Sequence, residues 1–268
     1  MTLPRKMLLI GCGNMGGAML AGWLRGGVAP ETFTVVDPYL ETVADGVTLL
    51  REVPEGEFDA VQLAIKPQGL ADAVPGIEPV MGPNTVLLSL LAGVEWETLA
   101  QRFPRAGGIV RIMPNLSAAL GKSPIALAGE GLSDAQTAMV EALTAPLGQG
   151  EWIDEGHFDL VTALAGSGPA FVYRFIDALG AAATSLGLPE EQAQRLALAT
   201  VEGASALAAQ SDVSPGDLAR RVASPGGTTQ AGLDTLDANN RLLDLITDTL
   251  RAAARRGAEM AEEARRGG

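Results

Sequence analysis

Short apolar runs alternate with amphipathic segments through the first half of the chain. The runs have the length of buried strands and occupy residues 7–10, 33–36, 58–65, 85–90 and 108–112. The segments between them carry apolar residues at helical spacing. Strands that alternate with helices in this way form a parallel sheet covered by helices. Two further runs, at 124–128 and 150–153, flank a helical segment and predict edge strands.

The pattern changes at about residue 154, where strand-length runs stop and a period of 3.6 residues takes over. We therefore predict an α/β protein with two domains. Residues 1–153 form a doubly wound sheet, and residues 154–268 form an all-helical domain. The helical segments are rich in Ala and Gly, which bury little apolar area per residue. This composition indicates that the helices need a partner chain, so we predict a dimerisation domain.

The first predicted strand ends in the glycine pattern G-x-G-x-x-G, which opens a helix. A strand before this pattern and a helix after it are the context of a Rossmann-type dinucleotide site. The first glycine makes the tight turn, the second lets a pyrophosphate approach the backbone, and the third lets the helix pack on the strand. The candidate cofactor-binding residues in the loop are Gly11, Gly13, Asn14, Met15 and Gly16.

Asp37 follows the second strand, about twenty residues beyond the loop, where an acidic side chain accepts hydrogen bonds from the adenosine ribose. An Asp-Pro pair also opens turns, so a structural role is the alternative. No Arg occurs at residues 38–40. A 2′-phosphate would meet a carboxylate here, which favours NADH over NADPH.

Ligands of such sheets bind at the carboxyl ends of the strands. Lys66 and Asn115 follow two of the predicted strands. Lys66 is either a solvated loop cation or part of the site, and Asn115 offers a neutral hydrogen-bonding group beside a proline.

Residues 221–230 place Pro and two glycines before two threonines and an apolar-periodic run. The pattern predicts a loop that opens a helix. Unpaired backbone amides at such a helix start can hold a small anion. A plain Ser or Thr cap is the alternative.

The net charge of −13 argues against nucleic acid and anionic membranes as partners. One cysteine excludes an internal disulfide, and no N-terminal apolar stretch is long enough for a signal peptide, so we expect a soluble cytoplasmic protein. His157 is the only histidine, which excludes a His-rich metal site; no metal is expected. Hydride transfer from a nicotinamide suits a chain with so little acid–base chemistry.

The chain resembles the pyrroline-5-carboxylate reductase family, which reduces 1-pyrroline-5-carboxylate to L-proline with NADH or NADPH in the last step of proline biosynthesis. The resemblance spans nearly the whole chain. It rests on the glycine loop and on residues 64–68, 111–115, 161–171 and 222–229. It implies a helical domain that interlocks with its twin, active sites shared in a homodimer, and further assembly, commonly into decamers.

The resemblance also implies roles for individual residues. The Ser224 side chain and the amides of residues 226–229 would hold the substrate carboxylate, and the Thr229 hydroxyl would reach the ring nitrogen. These substrate-binding residues are Ser224, Gly226, Gly227, Thr228 and Thr229, with Thr229 as the catalytic one. The cofactor would be lined by Ala64, Lys66, Pro67, Leu91 and Ala92, with Asn115 beside them.

Two departures from the family stand out. Leu116-Ser117 replaces the usual Thr-Pro, and Asp37 stands where neutral or basic residues are frequent. The alternatives to the reductase are a non-catalytic NAD(P)-binding sensor or scaffold and a related two-domain hydroxy-acid dehydrogenase. The dehydrogenase needs an acid or base at the hydride centre, and the helical half offers no lysine and only His157.

Overall fold

The computed structural model describes residues 2–266, with side chains described as far as Glu263. Its described part contains one eight-stranded sheet in the order β3-β2-β1-β4-β5-β6-β7-β8. The strands are β1 (Met7–Ile10), β2 (Phe33–Val36), β3 (Thr48–Leu50), β4 (Ala60–Leu63), β5 (Val86–Ser89), β6 (Gly108–Met113), β7 (Ser123–Glu130) and β8 (Gly148–Trp152).

The α-helices fall into two groups along the chain. Those between or just after the strands are α1 (Asn14–Arg25), α2 (Leu70–Ile77), α3 (Trp96–Arg102), α4 (Asp134–Thr144) and the short α5 (Phe158–Val161). A single π-helical turn, Thr162–Gly166, precedes the second group. That group consists of α6 (Gly168–Ser185), α7 (Glu190–Ala209), α8 (Pro215–Val222), α9 (Thr228–Asp237) and α10 (Arg241–Arg266).

The first six strands are parallel, and β7 runs antiparallel to β6. The sequence predicted a parallel sheet, so the direction of β7 differs from that expectation. Only residues 114–122 connect β6 to β7. A parallel crossover needs a dozen or more residues, so this connection returns in the opposite direction. The longer connection through α4 then makes β8 parallel to β7.

Both faces of the sheet are covered, which explains why its central strands read as continuous apolar runs. In β1, Met7 and Leu9 pack into the core on one face, where Trp23 of α1 stacks on Phe33 with ring centroids 5.3 Å apart. Leu8 packs into a second core on the opposite face. The two cores confirm the doubly wound α/β arrangement that the alternating pattern predicted.

The chain divides into two compact units. The first contains the sheet, the chain as far as Ser167, and the residues from Ala252 onward; the second is Gly168–Arg251. The sequence placed the domain boundary after residue 153, where the strand patterns end. That boundary stays a prediction.

The second unit is wholly helical and buries few of its large apolar side chains. Helices α6 and α7 pack closely at Gly180, where a Cβ would lie 2.8 Å from the Gln194 side-chain amide and would require that side chain to move. Much of the rest of its apolar surface is exposed. The exposed large apolar residues of this unit are Val172, Tyr173, Phe175, Leu179, Leu186, Leu188, Leu196, Leu198, Leu207, Val222, Leu236, Leu242, Leu243, Leu245 and Ile246.

Candidate functional site

The glycine loop follows β1 at the point where the strand order reverses, between β1 and β4. Gly11 has a φ of 85°, which side chains rarely adopt, and a Cβ there would lie 2.7 Å from the Ala64 carbonyl oxygen. A Cβ on Gly16 would lie 2.7 Å from the Gly11 carbonyl oxygen. The loop therefore needs glycine at both positions, one for the turn and one for close packing of α1.

Gly13 has a different environment, with open space where its Cβ would be. It is the N-cap of α1 and supplies no side-chain cap, and the first helical bond runs from the Gly17 amide to the Gly13 carbonyl at 2.8 Å. The amides of Asn14, Met15 and Gly16 thus lie at the positive end of the helix dipole without a helical partner. Open space beside unpaired amides fits the pyrophosphate of a dinucleotide.

Asp37 lies at the end of β2, half-buried, and its carboxylate faces the protein backbone. Oδ2 accepts a hydrogen bond from the Cys12 amide at 2.9 Å, and Oδ1 accepts from the amides of Tyr39 at 2.9 Å and Leu40 at 3.1 Å. Burial raises the pKa of Asp37, but these three hydrogen bonds and the Arg51 cation outweigh it and hold the pKa below its usual value. The side chain ties the glycine loop to the turn after β2.

Arg51 directly follows β3 and belongs to the same corner of the sheet. Its Nη1 donates hydrogen bonds to the carbonyl oxygens of Asp37 at 2.7 Å and Leu40 at 2.6 Å. Sequence reasoning missed this cation because it examined only residues 38–40 after the second strand. No clear sequence signal pointed to it, because the strand before it, Thr48–Leu50, has only three residues and is defined by its pairing with β2.

The thiol of Cys12 is buried inside the glycine loop. Burial, and then the charge of Asp37, raise its pKa to about 11. The group stays protonated at neutral pH and is a small space-filling side chain, as the sequence indicated.

The other predicted cofactor residues follow β4 and β5, the parallel strands on the far side of the switch point. Ala64 follows β4 and donates its amide hydrogen bond to the Ile10 carbonyl at 2.8 Å. Lys66 is exposed and precedes a short 3₁₀ turn that starts at Pro67. Leu91 is buried and Ala92 half-buried in the turn after β5. The fold thus brings these residues and the glycine loop to one edge of the sheet.

Asn115 is 4% exposed and its side chain is engaged within the protein. Nδ2 donates to the Ala165 carbonyl at 2.8 Å, and Oδ1 accepts from the Ser117 amide at 2.9 Å and from its hydroxyl. The side chain therefore joins the end of β6 to the π-helical turn. Its predicted contact with the cofactor stays a prediction.

An ion pair between a buried arginine and a half-exposed glutamate supports the same region of the sheet. Arg111 of β6 donates from Nη1 to Glu155 Oε1 at 2.9 Å, and its guanidinium lies 3.9 Å from the ring centroid of Phe158. Glu155 also accepts from the Trp96 amide at 2.7 Å. This cluster holds the start of α3 against β6, and no sequence motif indicated it.

The predicted substrate residues lie in the second unit, where Ser224 to Gly227 form a tight turn. The Gly227 amide donates to the Ser224 carbonyl at 2.9 Å, and Gly226 has a φ of 71°. Pro225 and Gly226 thus occupy the two central positions of a type II turn, the positions that favour these residues. A Cβ on Gly227 would collide with the Ser224 hydroxyl.

Helix α9 begins directly after this turn. Its N-cap, Gly227, provides no side-chain cap, and the first helical bond joins the Ala231 amide to the Gly227 carbonyl at 3.1 Å. The amides of Thr228, Thr229 and Gln230 therefore have no helical partner. The plain Ser or Thr cap, the alternative considered from sequence, is absent at this helix start. One detail differs from the expectation: the Gly227 amide is used within the turn.

Three hydroxyl groups accompany these amides. Ser224, Thr228 and Thr229 are exposed, and within the described part of the chain their hydroxyls form no hydrogen bond. Unpaired amides and hydroxyls at a helix start suit a small carboxylate.

Residues 2–266 contain neither a cluster of metal ligands nor a helix that could span a membrane. No group of three or more His, Cys, Asp or Glu side chains in this range could hold a metal ion. None of the helices described here is long and apolar enough to cross a membrane.

Comparison with known proteins assigns the chain to a family. It is 35% identical to pyrroline-5-carboxylate reductase 2 of Bacillus subtilis over 97% of this chain and 96% of that protein. The chain belongs to the pyrroline-5-carboxylate reductase family. The reductase of Arabidopsis thaliana is 33% identical, over 96% of each protein. The family resemblance that the sequence motifs indicated is thus confirmed.

Family and structural matches agree with this assignment. The family model for pyrroline-5-carboxylate reductase dimerisation matches residues 155–260, which include all of α6 to α9. The structure of the Coxiella burnetii reductase superimposes with a TM-score of 0.87 at 28% identity and covers 96% of this chain and 98% of that one. A Plasmodium falciparum reductase solved with NADP bound has the same fold, with a TM-score of 0.83 at 24% identity over 96% of this chain and 98% of that one.

Proposed function

We propose that this chain reduces 1-pyrroline-5-carboxylate to L-proline with NADH or NADPH, the last step of proline biosynthesis. One observation carries the proposal: in a member of the reductase family, the Ser224–Gly227 turn leads into a helix start without a side-chain cap, where the amides of Thr228 and Thr229 have no helical partner and the nearby hydroxyls form no hydrogen bond within the described chain. The substrate is a small cyclic imine with one carboxylate. A neutral seat of amides can hold that carboxylate in a chain whose overall charge is −13.

In the cofactor half of the site, the amides of Asn14, Met15 and Gly16 bind the pyrophosphate, and Gly13 leaves room for it. Asp37 accepts a hydrogen bond from the adenosine ribose beside the three that it already accepts from backbone amides. The bound reduced nicotinamide supplies the hydride. The wall around it is formed by Ala64, Lys66, Pro67, Leu91, Ala92 and Asn115.

In the substrate half, the amides of Thr228 and Thr229 and the Ser224 hydroxyl bind the carboxylate. The ring nitrogen enters protonated, as the iminium, and its N–H donates a hydrogen bond to Thr229 Oγ, which orients the imine carbon for hydride transfer. Hydride addition to the iminium gives the neutral amine, so the protein supplies no proton in this step. Position and electrostatics provide the catalysis here, since the reaction centre needs no nucleophile from the protein.

Thr229→Val tests this role, because valine keeps the branched shape and removes the hydroxyl. The matched control is Thr235→Val on the same helix, where the hydroxyl bonds only to the Ala231 carbonyl at 3.1 Å. We expect Thr229→Val to lower kcat on the order of a hundredfold. Thr229→Ser and Thr235→Val should stay near the parent rate.

The assay follows oxidation of NADH and NADPH with racemic pyrroline-5-carboxylate. Full activity of Thr229→Val would remove this residue from the mechanism. A parent chain that binds the cofactor but never oxidises it would instead identify a sensor, which contradicts the proposed reaction itself.

We further propose a homodimer with shared active sites, in which the turn of one chain completes the cofactor half of its partner. The dimers would assemble into decamers in the cytoplasm. The exposed apolar side chains of α6, α7 and α10 and the exposure of Ser224, Thr228 and Thr229 support the shared site.

Mixing two inactive variants tests the sharing. Gly16→Val blocks the glycine loop, because its Cβ would lie 2.7 Å from the Gly11 carbonyl oxygen. In a dimer of one Gly16→Val chain and one Thr229→Val chain, the intact glycine loop of the second chain can combine with the intact turn of the first. Such a dimer has one intact site only if each site uses both chains. The mixture should then recover activity that neither variant has alone, and an inactive mixture of confirmed heterodimers would exclude sharing.

A further inference from the structure

Arg51 is a fixed cation beside the predicted ribose site. Its Nη1 is held by the carbonyl oxygens of Asp37 and Leu40, at 2.7 and 2.6 Å, although the residue is exposed. Within the described chain, its Nε and Nη2 donate no hydrogen bond. One nitrogen thus anchors the guanidinium, and the other two remain able to bind a ligand.

Asp37, the neighbouring anion, is largely satisfied by the protein. A carboxylate has about four lone-pair sites, and three of those of Asp37 accept the amides of Cys12, Tyr39 and Leu40. It can accept one more donor, such as a ribose hydroxyl. Three amide dipoles and one cation already surround its charge, which weakens its repulsion of a second anion nearby.

We propose that Arg51 is a specificity-determining residue that binds the 2′-phosphate of NADPH. The assignment rests on the proposed cofactor site at the glycine loop. An arginine near the acidic position accommodates a 2′-phosphate in dinucleotide-binding sheets, and its planar fork suits phosphate oxygens. The chain then accepts NADPH in spite of Asp37. This assignment reverses the NADH preference that was inferred from Asp37 and the absence of Arg at residues 38–40.

Binding of two nucleotide fragments separates the phosphate contact from catalysis. Adenosine 2′,5′-bisphosphate and adenosine 5′-monophosphate are titrated calorimetrically into the full chain, Arg51→Gln, Arg51→Lys and the control Arg105→Gln. Arg105 is exposed and precedes β6, at the opposite end of the strands, where it pairs with Glu78 at 3.8 Å. Thermal unfolding confirms that each variant is folded.

The parent chain and Arg105→Gln should bind the bisphosphate about tenfold more tightly than the monophosphate, equivalent to about 1.4 kcal/mol. Arg51→Gln should lose that difference and keep its monophosphate affinity, while Arg51→Lys keeps part of it. Added salt should weaken only the bisphosphate advantage.

Two results would overturn the assignment: no preference for the bisphosphate in the parent chain, or an unchanged preference in folded Arg51→Gln. Failure of the parent chain to bind either fragment would refute the cofactor site and the role of Arg51 with it. Preference without reductase activity would leave Arg51 assigned and refute only the proposed reaction.

Discussion

Replacing Asp37 with alanine should destabilise the protein through its glycine loop. The substitution removes one acceptor group from three backbone amides, which now donate over 2.9 to 3.1 Å. The amide of Tyr39 lies in an exposed turn, where water can replace the carboxylate. The amide of Cys12 belongs to a residue that is 7% exposed, so it loses its partner without replacement.

The magnitude follows from this difference between the amides. A buried amide left without a partner lowers the free energy of unfolding by about 1–3 kcal/mol, whereas each amide that bonds to water instead lowers it by about 0.5 kcal/mol. For one buried amide and two amides that regain water, the sum is about 2–4 kcal/mol at pH 7. For a domain of this size, that loss lowers Tm by roughly 4–16 °C.

The effect should depend on pH with a definite sign. The pKa of Asp37 is lower in the folded protein than its usual value. Its carboxylate therefore stabilises the fold fully above the unfolded pKa of about 3.9, and the contribution is lost as the pH falls through the folded pKa. The stability difference between the parent chain and Asp37→Ala should be constant from about pH 5 to 7 and shrink below about pH 4.

Urea unfolding at several pH values measures this difference. Asp45→Ala is the control, since Asp45 is an exposed carboxylate with no hydrogen bond among the described side chains. A loss under about 0.5 kcal/mol for Asp37→Ala would show that the carboxylate does not hold the loop. A loss that stayed constant down to the lowest pH would assign the effect to packing instead of charge.

Two further substitutions concern the core of the first unit. Gln62 of β4 is fully buried, and neither its Nε2 nor its Oε1 has a hydrogen-bond partner in the described chain. Gln62→Met should therefore raise the free energy of unfolding by about 1–3 kcal/mol, measured by urea unfolding. A lower free energy of unfolding would show that the Gln62 amide group does have partners in the folded protein. Glu155→Ala should cost about 1–3 kcal/mol, because the Arg111 side chain is only 4% exposed and loses its counterion, while water partly replaces the Glu155 side chain, which is 36% exposed. Adding Arg111→Met should recover most of that loss in the same assay, and no recovery would show that the unpaired charge is not the cause.

Some elements could be predicted from short stretches of sequence because their causes are local. The run 7–10 predicts a strand buried on both faces, and the glycines of the following loop indicate a turn that only small residues can form. The Pro225-Gly226 pair likewise predicts a tight turn, and Gly226 has the positive φ that such a turn requires. The structure contains each of these elements.

Other features escaped sequence reasoning. The three-residue strand Thr48–Leu50 is too short to produce a clear period, and pairing with β2 is what defines it. The direction of β7 depends on the length of the connection before it. The contacts of the Asn115 amide group with Ser117 and the Ala165 carbonyl were likewise indicated by no motif, while its predicted contact with the cofactor stays a prediction.

The sequence by itself determined the alternation of strands and helices, the glycine loop, the turn before Thr228 and the family resemblance, because each depends on neighbouring residues or a motif. Only the tertiary structure decided that Arg51 lies beside Asp37 and that Glu155 neutralises Arg111. The two residues of the first pair are 14 positions apart in the sequence and those of the second pair are 44 apart, so each pair meets only through strand order and packing. No local pattern encodes such proximity, so these two contacts could be found only in the folded chain.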